Sequence, residues 1–231
     1  MHKIRKFIQK FGLDIHKYRY EVEKLDYLKT FGLNTVIDVG ANTGQFAKEI
    51  REKLPEAMIY SFEPLKECFS TLEENMKNDS KFRAYNLALG DKNEKMEINK
   101  SSYTLSSSLL PMAEAHKTAF PHTKDSVKEE VEVKRMNDIF KNIGLGKEIL
   151  IKVDTQGYED RVIAGGLEIF GEAKVLIIET SFLELYEGQP LFADIYETLI
   201  NIGFVYKGAL HQKLSRGNSQ ILFEDSLFAK N

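Results

Sequence analysis

The chain has 231 residues, 42% hydrophobic and 29% charged, a balance that lets it bury a sizeable core and excludes disordered, collagenous and fibrous classes. Lys and Arg number 32 against 35 Asp and Glu, a net charge of −3 that gives no overall field for gripping a polyphosphate backbone, so no nucleic-acid partner is expected. One cysteine, Cys68, permits neither an internal disulfide nor a cysteine-based zinc site, and no apolar run approaches the roughly 18 residues of a membrane span; a soluble, cytoplasmic protein is the expectation.

Along the chain, Ile4, Phe7, Ile8 and Phe11 recur at helical spacing among Lys3, Arg5, Lys6 and Lys10, with Gly12 as a stop. Residues 1–20 hold six Lys or Arg against Asp14 alone. Residues 1–30 therefore read as a basic amphipathic extension. It either packs on the domain with a solvated basic face or makes peripheral contact with a membrane surface or an anionic partner. The main domain is expected over 31–231.

Residues 35–40 (TVIDVG) read as a buried parallel strand, and Phe46, Ile50 and Leu54 stripe a helix that stops before Pro55. Residues 57–62 (AMIYSF) give a second strand, followed by a helix on Leu65, Phe69, Leu72 and Met76. Residues 82–87, 149–153 (ILIKV) and 175–178 (VLII) give three more strands, and Leu191, Ile195 and Leu199 a last helix closed by Gly203. The segments FVYKGAL and SQILFEDSLF suggest a closing hairpin. Strands alternating with helices predict an α/β fold with a doubly wound, mostly parallel sheet. Residues 99–130 break this pattern: Ser-rich, aperiodic, with two prolines, they are expected to form a lid or acceptor-binding insertion.

The strongest local signal is VIDVGANTGQFA, residues 36–47, where a strand runs into Asp38, Gly40 and then Gly44 at a helix start. Gly40 allows a tight turn and a close ligand approach, Gly44 allows strand and helix to pack closely, and the helix start offers free N–H groups. The spacing is not the G-x-G-x-x-G of dinucleotide enzymes. Glu63 ends the second strand 23 positions beyond Gly40, where an acid in doubly wound folds accepts hydrogen bonds from ribose hydroxyls. The shared ligand is expected to be a nucleoside.

DVGANTG, FEP, NLALGD, the serines of SSSL, IKVDTQGYE and IIET, in this order, resemble the FkbM methyltransferases from about Thr35 to the C-terminus. The resemblance implies a class I, Rossmann-like fold with a seven-stranded sheet whose last strand is antiparallel. It implies S-adenosylmethionine as cofactor and methylation of a hydroxyl, often on a sugar or glycoconjugate. On it, Asp38, Gly40, Ala41, Asn42 and Gly44 hold the methionine end, Glu63 with Pro64 the ribose, and Asn86, Ala88 and Leu89 the adenine edge.

For the chemistry, Lys152 and Asp154 are two apart and share one side of their strand at its carboxyl end. Asp154 is the candidate base, also counted with the cofactor contacts. A lid histidine, His116 or His122, is the rival, and a purely structural Lys152–Asp154 pair remains open. Glu179 ends the neighbouring strand and faces the same cleft; two acids alone give no diagnostic metal spacing, so Mg²⁺ is not predicted. Tyr103, Phe120, Tyr158 and Tyr186 either stack on a sugar ring or simply pack. An NAD(P)-dependent oxidoreductase and a catalytically silent cofactor-binding scaffold are the alternatives.

Overall fold

The computed structural model describes residues 24–230 apart from Asn142 and Arg216. The amphipathic helix expected within residues 1–20 lies outside the described residues. A 3-10 segment, Lys24–Phe31, brings Leu25 and Leu28 into the core ahead of β1 (Thr35–Val39).

The central strands are continuous apolar runs because both of their faces are covered. All five residues of β1 are buried, as are four of the five in β2 (Met58–Phe62) and in β7 (Ile149–Val153). With β3 (Phe82–Tyr85), β8 (Val175–Ser181), β9 (Val205–Leu214) and β10 (Ile221–Ala229) they make a seven-stranded sheet in the order β3-β2-β1-β7-β8-β10-β9. Only the last strand, β10, runs against its neighbours, pairing antiparallel with both β8 and β9. This is the class I methyltransferase architecture.

Helices cover both faces. On one, α1 (Gln45–Lys53) buries Ala47 and Ile50, and α2 (Lys66–Met76) buries Cys68, Leu72 and Met76, a stripe of period four. On the other lie α4 (Met136–Phe140), α5 (Glu159–Gly165), α6 (Leu167–Glu172) and α7 (Phe192–Asn201), which bury Phe140, Ile163, Phe170 and Leu199 against the sheet. α1 stops at Leu54, whose backbone leaves the helical region ahead of Pro55.

A second sheet has no counterpart in the sequence reading. β4 (Ala88–Leu89), β5 (Glu94–Ser101) and β6 (Ser126–Lys134) form three strands in the order β4-β6-β5, with β5 and β6 paired antiparallel from Glu94↔Val133 to Ser101↔Ser126. Both ends of the expected insertion, 99–101 and 126–130, thus belong to a ladder. Between them run two 3-10 segments, Thr104–Ser106 and Pro121–Thr123, and the short helix α3 (Glu114–Ala119). A Met112–Tyr186 bridge ties this segment to the loop after β8. Among the described residues, no helix is long and apolar enough to cross a membrane.

Candidate functional site

Open α/β sheets gather ligands at the carboxyl ends of their parallel strands, and here β1, β2 and β7 end around one cavity. Gly40 turns the chain out of β1 with φ +79°, and a Cβ there would lie 1.9 Å from the backbone oxygen of Asp154. Gly44 opens α1 at φ +88°, a backbone that favours glycine, and the nearest group to a Cβ there is Leu72 Cδ1 of α2 at 2.8 Å rather than an atom of the strand.

Glu63 reaches across to this turn. Its Oε2 accepts the Asn42 backbone N–H at 2.8 Å and its Oε1 that of Leu65 at 2.9 Å. Burial pushes its pKa up to about 7 in spite of these two donors. Asn42, held at φ +48°, sends its amide to Thr104 Oγ1 at 3.1 Å and so joins the turn to the insertion. Gly40, Asn42, Glu63, Pro64, Ala88 and Leu89 all line the cavity, with Asp154 and Tyr158 among the other lining residues and Thr104, Leu105, Ser107 and Leu109 contributed by the insertion. Asn86 acts differently: its amide donates to the carbonyls of Glu63 and Pro64, both at 2.9 Å, and braces the turn. Ala41 packs into the core beneath.

Below the cavity floor lies a charged layer. Asp38 and Lys152 are register partners on β1 and β7. Lys152 Nζ donates to Asp154 Oδ2 at 3.2 Å and stands 3.8 Å from Asp38 Oδ1. Ser61 donates to Asp38 Oδ2 at 3.3 Å, while Oδ1 is buried without a hydrogen-bond partner. Burial raises the pKa of Asp38 and would lower that of Lys152, but Asp154 and Asp38 hold the ammonium above its usual value. Asp38, expected at the methionine end, does not line the cavity but sets negative charge beneath it, with Oδ1 free of hydrogen bonds; with the bare turn at Gly40 and the carboxyl of Glu63 this fits a ligand carrying an ammonium and a hydroxylated ribose.

A second cleft, of about 530 Å³, opens on the other side of Asp154 and shares Leu105, Asp154 and Gln156 with the first cavity. Its floor is a row across the sheet: Glu179 on β8 is the register partner of Asp225 on β10, which is in turn that of His211 on β9. Gln156 Nε2 links Asp154 Oδ1 at 2.7 Å to Glu179 Oε1 at 3.0 Å. Burial, then Asp154, Glu159 and Asp225, raise the pKa of Glu179 well above the usual carboxylate range. Glu159 itself ties down the turn after β7, accepting from Thr155 N, Thr155 Oγ1 and Gly157 N.

The insertion supplies the opposite wall, with His116, Phe120, His122 and Tyr103. Thr123 Oγ1 spends its proton on the Phe120 carbonyl at 2.9 Å, so it accepts from His116 Nε2–H at 3.0 Å. That fixes the tautomer and leaves Nδ1 a buried acceptor without a partner. Burial brings the ring's pKa down to about 4, so it is neutral at physiological pH. Among the described residues, no group of three or more His, Cys, Asp or Glu is arranged to hold a metal ion.

Residues 38–206 match the model of the methyltransferase FkbM domain. The chain belongs to the FkbM methyltransferase family. A protein named 2-O-methyltransferase NoeI, from Sinorhizobium fredii, is 31% identical over 166 residues, 68% of each chain. Methyltransferase sdnD from Sordaria araneosa is 28% identical over 199 residues, 73% of each chain. The FkbM region begins at Asp38 and takes in the glycine turn, Glu63, the insertion and the Asp154 strand end; membership sets aside the oxidoreductase reading and implies S-adenosylmethionine as cofactor.

The sequence reading gave no role to Gln156, Asp225, His211 or Thr104. Gln156 stood in plain view within IKVDTQGYE. The others owe their place to pairing between strands and loops far apart in the chain.

Proposed function

We propose that this FkbM methyltransferase transfers the methyl group of S-adenosylmethionine to a hydroxyl of a sugar or glycoconjugate, within a domain spanning 31–231. The observation that carries the reading is the meeting of two cavities at Asp154: one built around the Gly40 turn and Glu63, the other floored by a row of hydrogen-bond acceptors. When bound, S-adenosylmethionine supplies an electrophilic methyl on a sulfonium that leaves as a neutral thioether.

The chain's own residues then divide the work. Asp38 lends its negative charge to the ammonium from beneath the cavity floor, Gly40 and Asn42 give close backbone approach, and Glu63 accepts the ribose hydroxyls on lone pairs left by Asn42 and Leu65. Ala88 and Leu89 offer an apolar edge to the adenine. On the acceptor side the O–H bond breaks as the O–CH₃ bond forms, and the proton passes to the Asp154 carboxylate. Glu179 and the neutral His116 receive hydrogen bonds from neighbouring hydroxyls, with His116 Nδ1 as the rival base. The relative named as a 2-O-methyltransferase supports an oxygen acceptor.

Tritium transfer from methyl-labelled S-adenosylmethionine to a panel of methyl glycosides tests this, with amine and thiol acceptors alongside. Label in a glycoside supports the reading. Label only in amines or thiols refutes the hydroxyl acceptor, and tight cofactor binding with no transfer at all favours the silent scaffold.

A further inference from the structure

Gln156 sits at an unusual point of the backbone. Its φ is +56°, a left-handed conformation that a non-glycine residue keeps only where the surroundings enforce it. Here they do. Ser108 Oγ donates to the Gln156 carbonyl at 2.6 Å, and the Glu159 carboxyl holds the N–H groups of Thr155 and Gly157 on either side. The strain aims one side chain into the space between the two cavities.

What that side chain does there follows from its donors and acceptors. A primary amide carries two N–H donors and one carbonyl acceptor. Nε2 donates to Asp154 Oδ1 at 2.7 Å and to Glu179 Oε1 at 3.0 Å, and Oε1 accepts from the Tyr186 hydroxyl at 2.9 Å. In this orientation each carboxyl group meets an N–H donor and the tyrosine hydroxyl meets an acceptor. Tyr186 is fully buried, and its hydroxyl also lies 3.2 Å from the Ser106 carbonyl of the insertion. Lys152 takes the remaining oxygen of Asp154. The charged and titratable groups around this pair are Asp38 on β1, Lys152 on β7, Asp225 on β10, Glu159 at the start of α5, and Tyr186.

We propose that Gln156 is a positioning residue of the methyl transfer, oriented by Tyr186, which locks the Asp154 carboxyl between the two cavities and couples it to Glu179 and to the Ser106–Ser108 stretch of the insertion. Without the amide, Asp154 is tethered by Lys152 alone and is free to turn about its side-chain bonds. The inference rests on the proposed acceptor reading for its kinetic consequence, but its hydrogen-bond geometry does not.

The test uses the full chain with the methyl glycoside that takes label in the tritium assay. Gln156→Leu should lower kcat about 10–100-fold while the KM for S-adenosylmethionine, the affinity for its demethylated product and the melting temperature stay near those of the parent. Tyr186→Phe should lower kcat by a smaller factor, and the double variant should be no worse than Gln156→Leu, because the tyrosine acts through the amide. Additive losses, an unchanged kcat, or losses matched by a fall in melting temperature would overturn the proposal. Selective ¹⁵N labelling of the Gln156 side chain gives a readout that needs no acceptor. Its N–H₂ protons should exchange slowly in the parent and fast in Tyr186→Phe. A parent amide that exchanges like a surface glutamine refutes the proposal; protection without any glycoside turnover refutes the sugar reading and leaves this geometry standing.

Discussion

The backbone oxygen of Asp154 occupies the space a side chain on residue 40 would need, 1.9 Å from an ideal Cβ, while the Asp154 N–H donates to the Val39 carbonyl at 3.0 Å. The turn that opens the cofactor cavity and the strand end that carries the acid are therefore one rigid junction. Gly40→Ala must strain a left-handed backbone and push the two strands apart, costs of about 1–2 and 1–3 kcal/mol. Thermal unfolding should shift down by roughly 5–15 °C, with cofactor binding lost. Gly203→Ala is the control: its φ is +92°, but the nearest group is the flexible end of Lys230 at 3.9 Å. It should lose only the strain share and keep full cofactor affinity in calorimetry. Equal behaviour of the two variants would show that the junction is not tight.

Glu63 makes cofactor affinity depend on pH. Its carboxyl has a pKa of about 7, raised by burial, against about 4.5 when exposed. Ribose hydroxyls donate best to the ionised form, so affinity for the demethylated cofactor should rise as pH increases from 6 to 8, with proton release on binding. The free protein responds oppositely: a raised folded-state pKa contributes stability that is complete below about 4.5 and lost as pH rises through about 7, and Glu159, also raised to about 7, adds to the same trend. Calorimetry in two buffers of different ionisation enthalpy measures the proton. Glu63→Gln should abolish the pH dependence and weaken binding by about 1.5–3 kcal/mol; a flat profile in the parent would remove Glu63 from the ribose contact.

The centre of the main sheet was legible because β1, β2, β7 and β8 are buried on both faces and read as short, mostly apolar runs. β5 and β6 were not. They send Lys95, Glu97, Lys128 and Glu130 to solvent, paired as Lys95–Glu130 at 2.8 Å and Lys128–Glu97 at 2.6 Å. Inward go only a few apolar residues, Ile98, Val131 and Val133 chief among them. Such alternation of charges reads as a solvated loop until the partner strand is known. The same limit applies to the site. Asp38, Gly40, Glu63 and Asp154 stand at strand ends within short motifs, so the sequence singles them out as candidates. The Glu179–Asp225–His211 row exists only through the register of β8, β10 and β9, which no local pattern encodes.

The insertion is expected to behave as a lid over residues 102–125, between the paired ends in β5 and β6. It meets the rest of the domain through polar ties, among them Asn42 to Thr104, Ser108 to Gln156 and Tyr186 to Ser106, and through Met112, buried with Leu185 and Tyr186. Built of short 3-10 turns and one short helix rather than a sheet ladder, such a segment opens at lower free energy than core strands. Hydrogen exchange should find its amides less protected than those of β7 without ligand, and protected on adding the demethylated cofactor. Equal protection in both states would make it a fixed wall.

The role of the acid at the strand end separates three readings. If Asp154 takes the acceptor's proton, Asp154→Asn keeps the shape of the site and should lower turnover roughly 10²–10⁴-fold with cofactor affinity nearly intact. If the carboxylate serves the fold through Lys152, the variant should instead melt several degrees lower with unchanged activity per folded molecule. The geometry favours the first outcome, because Lys152 retains Asp38 at 3.8 Å when Asp154 is neutralised. Lys152→Met should show the converse. It strands Asp38, which is fully buried, and the loss of one partner from a buried ion pair costs about 3–5 kcal/mol, so stability should collapse before catalysis can be read. A metal-dependent reaction predicts a third pattern, with chelator abolishing parental activity and Glu179→Gln reproducing the Asp154→Asn defect. The ammonium of Lys152 already occupies the space between Asp38 and Asp154, so chelator should leave turnover unchanged and Glu179→Gln should be the milder of the two variants. Full activity in Asp154→Asn would move the base to the insertion, where His116 Nδ1 is the acceptor left free by the Thr123 contact.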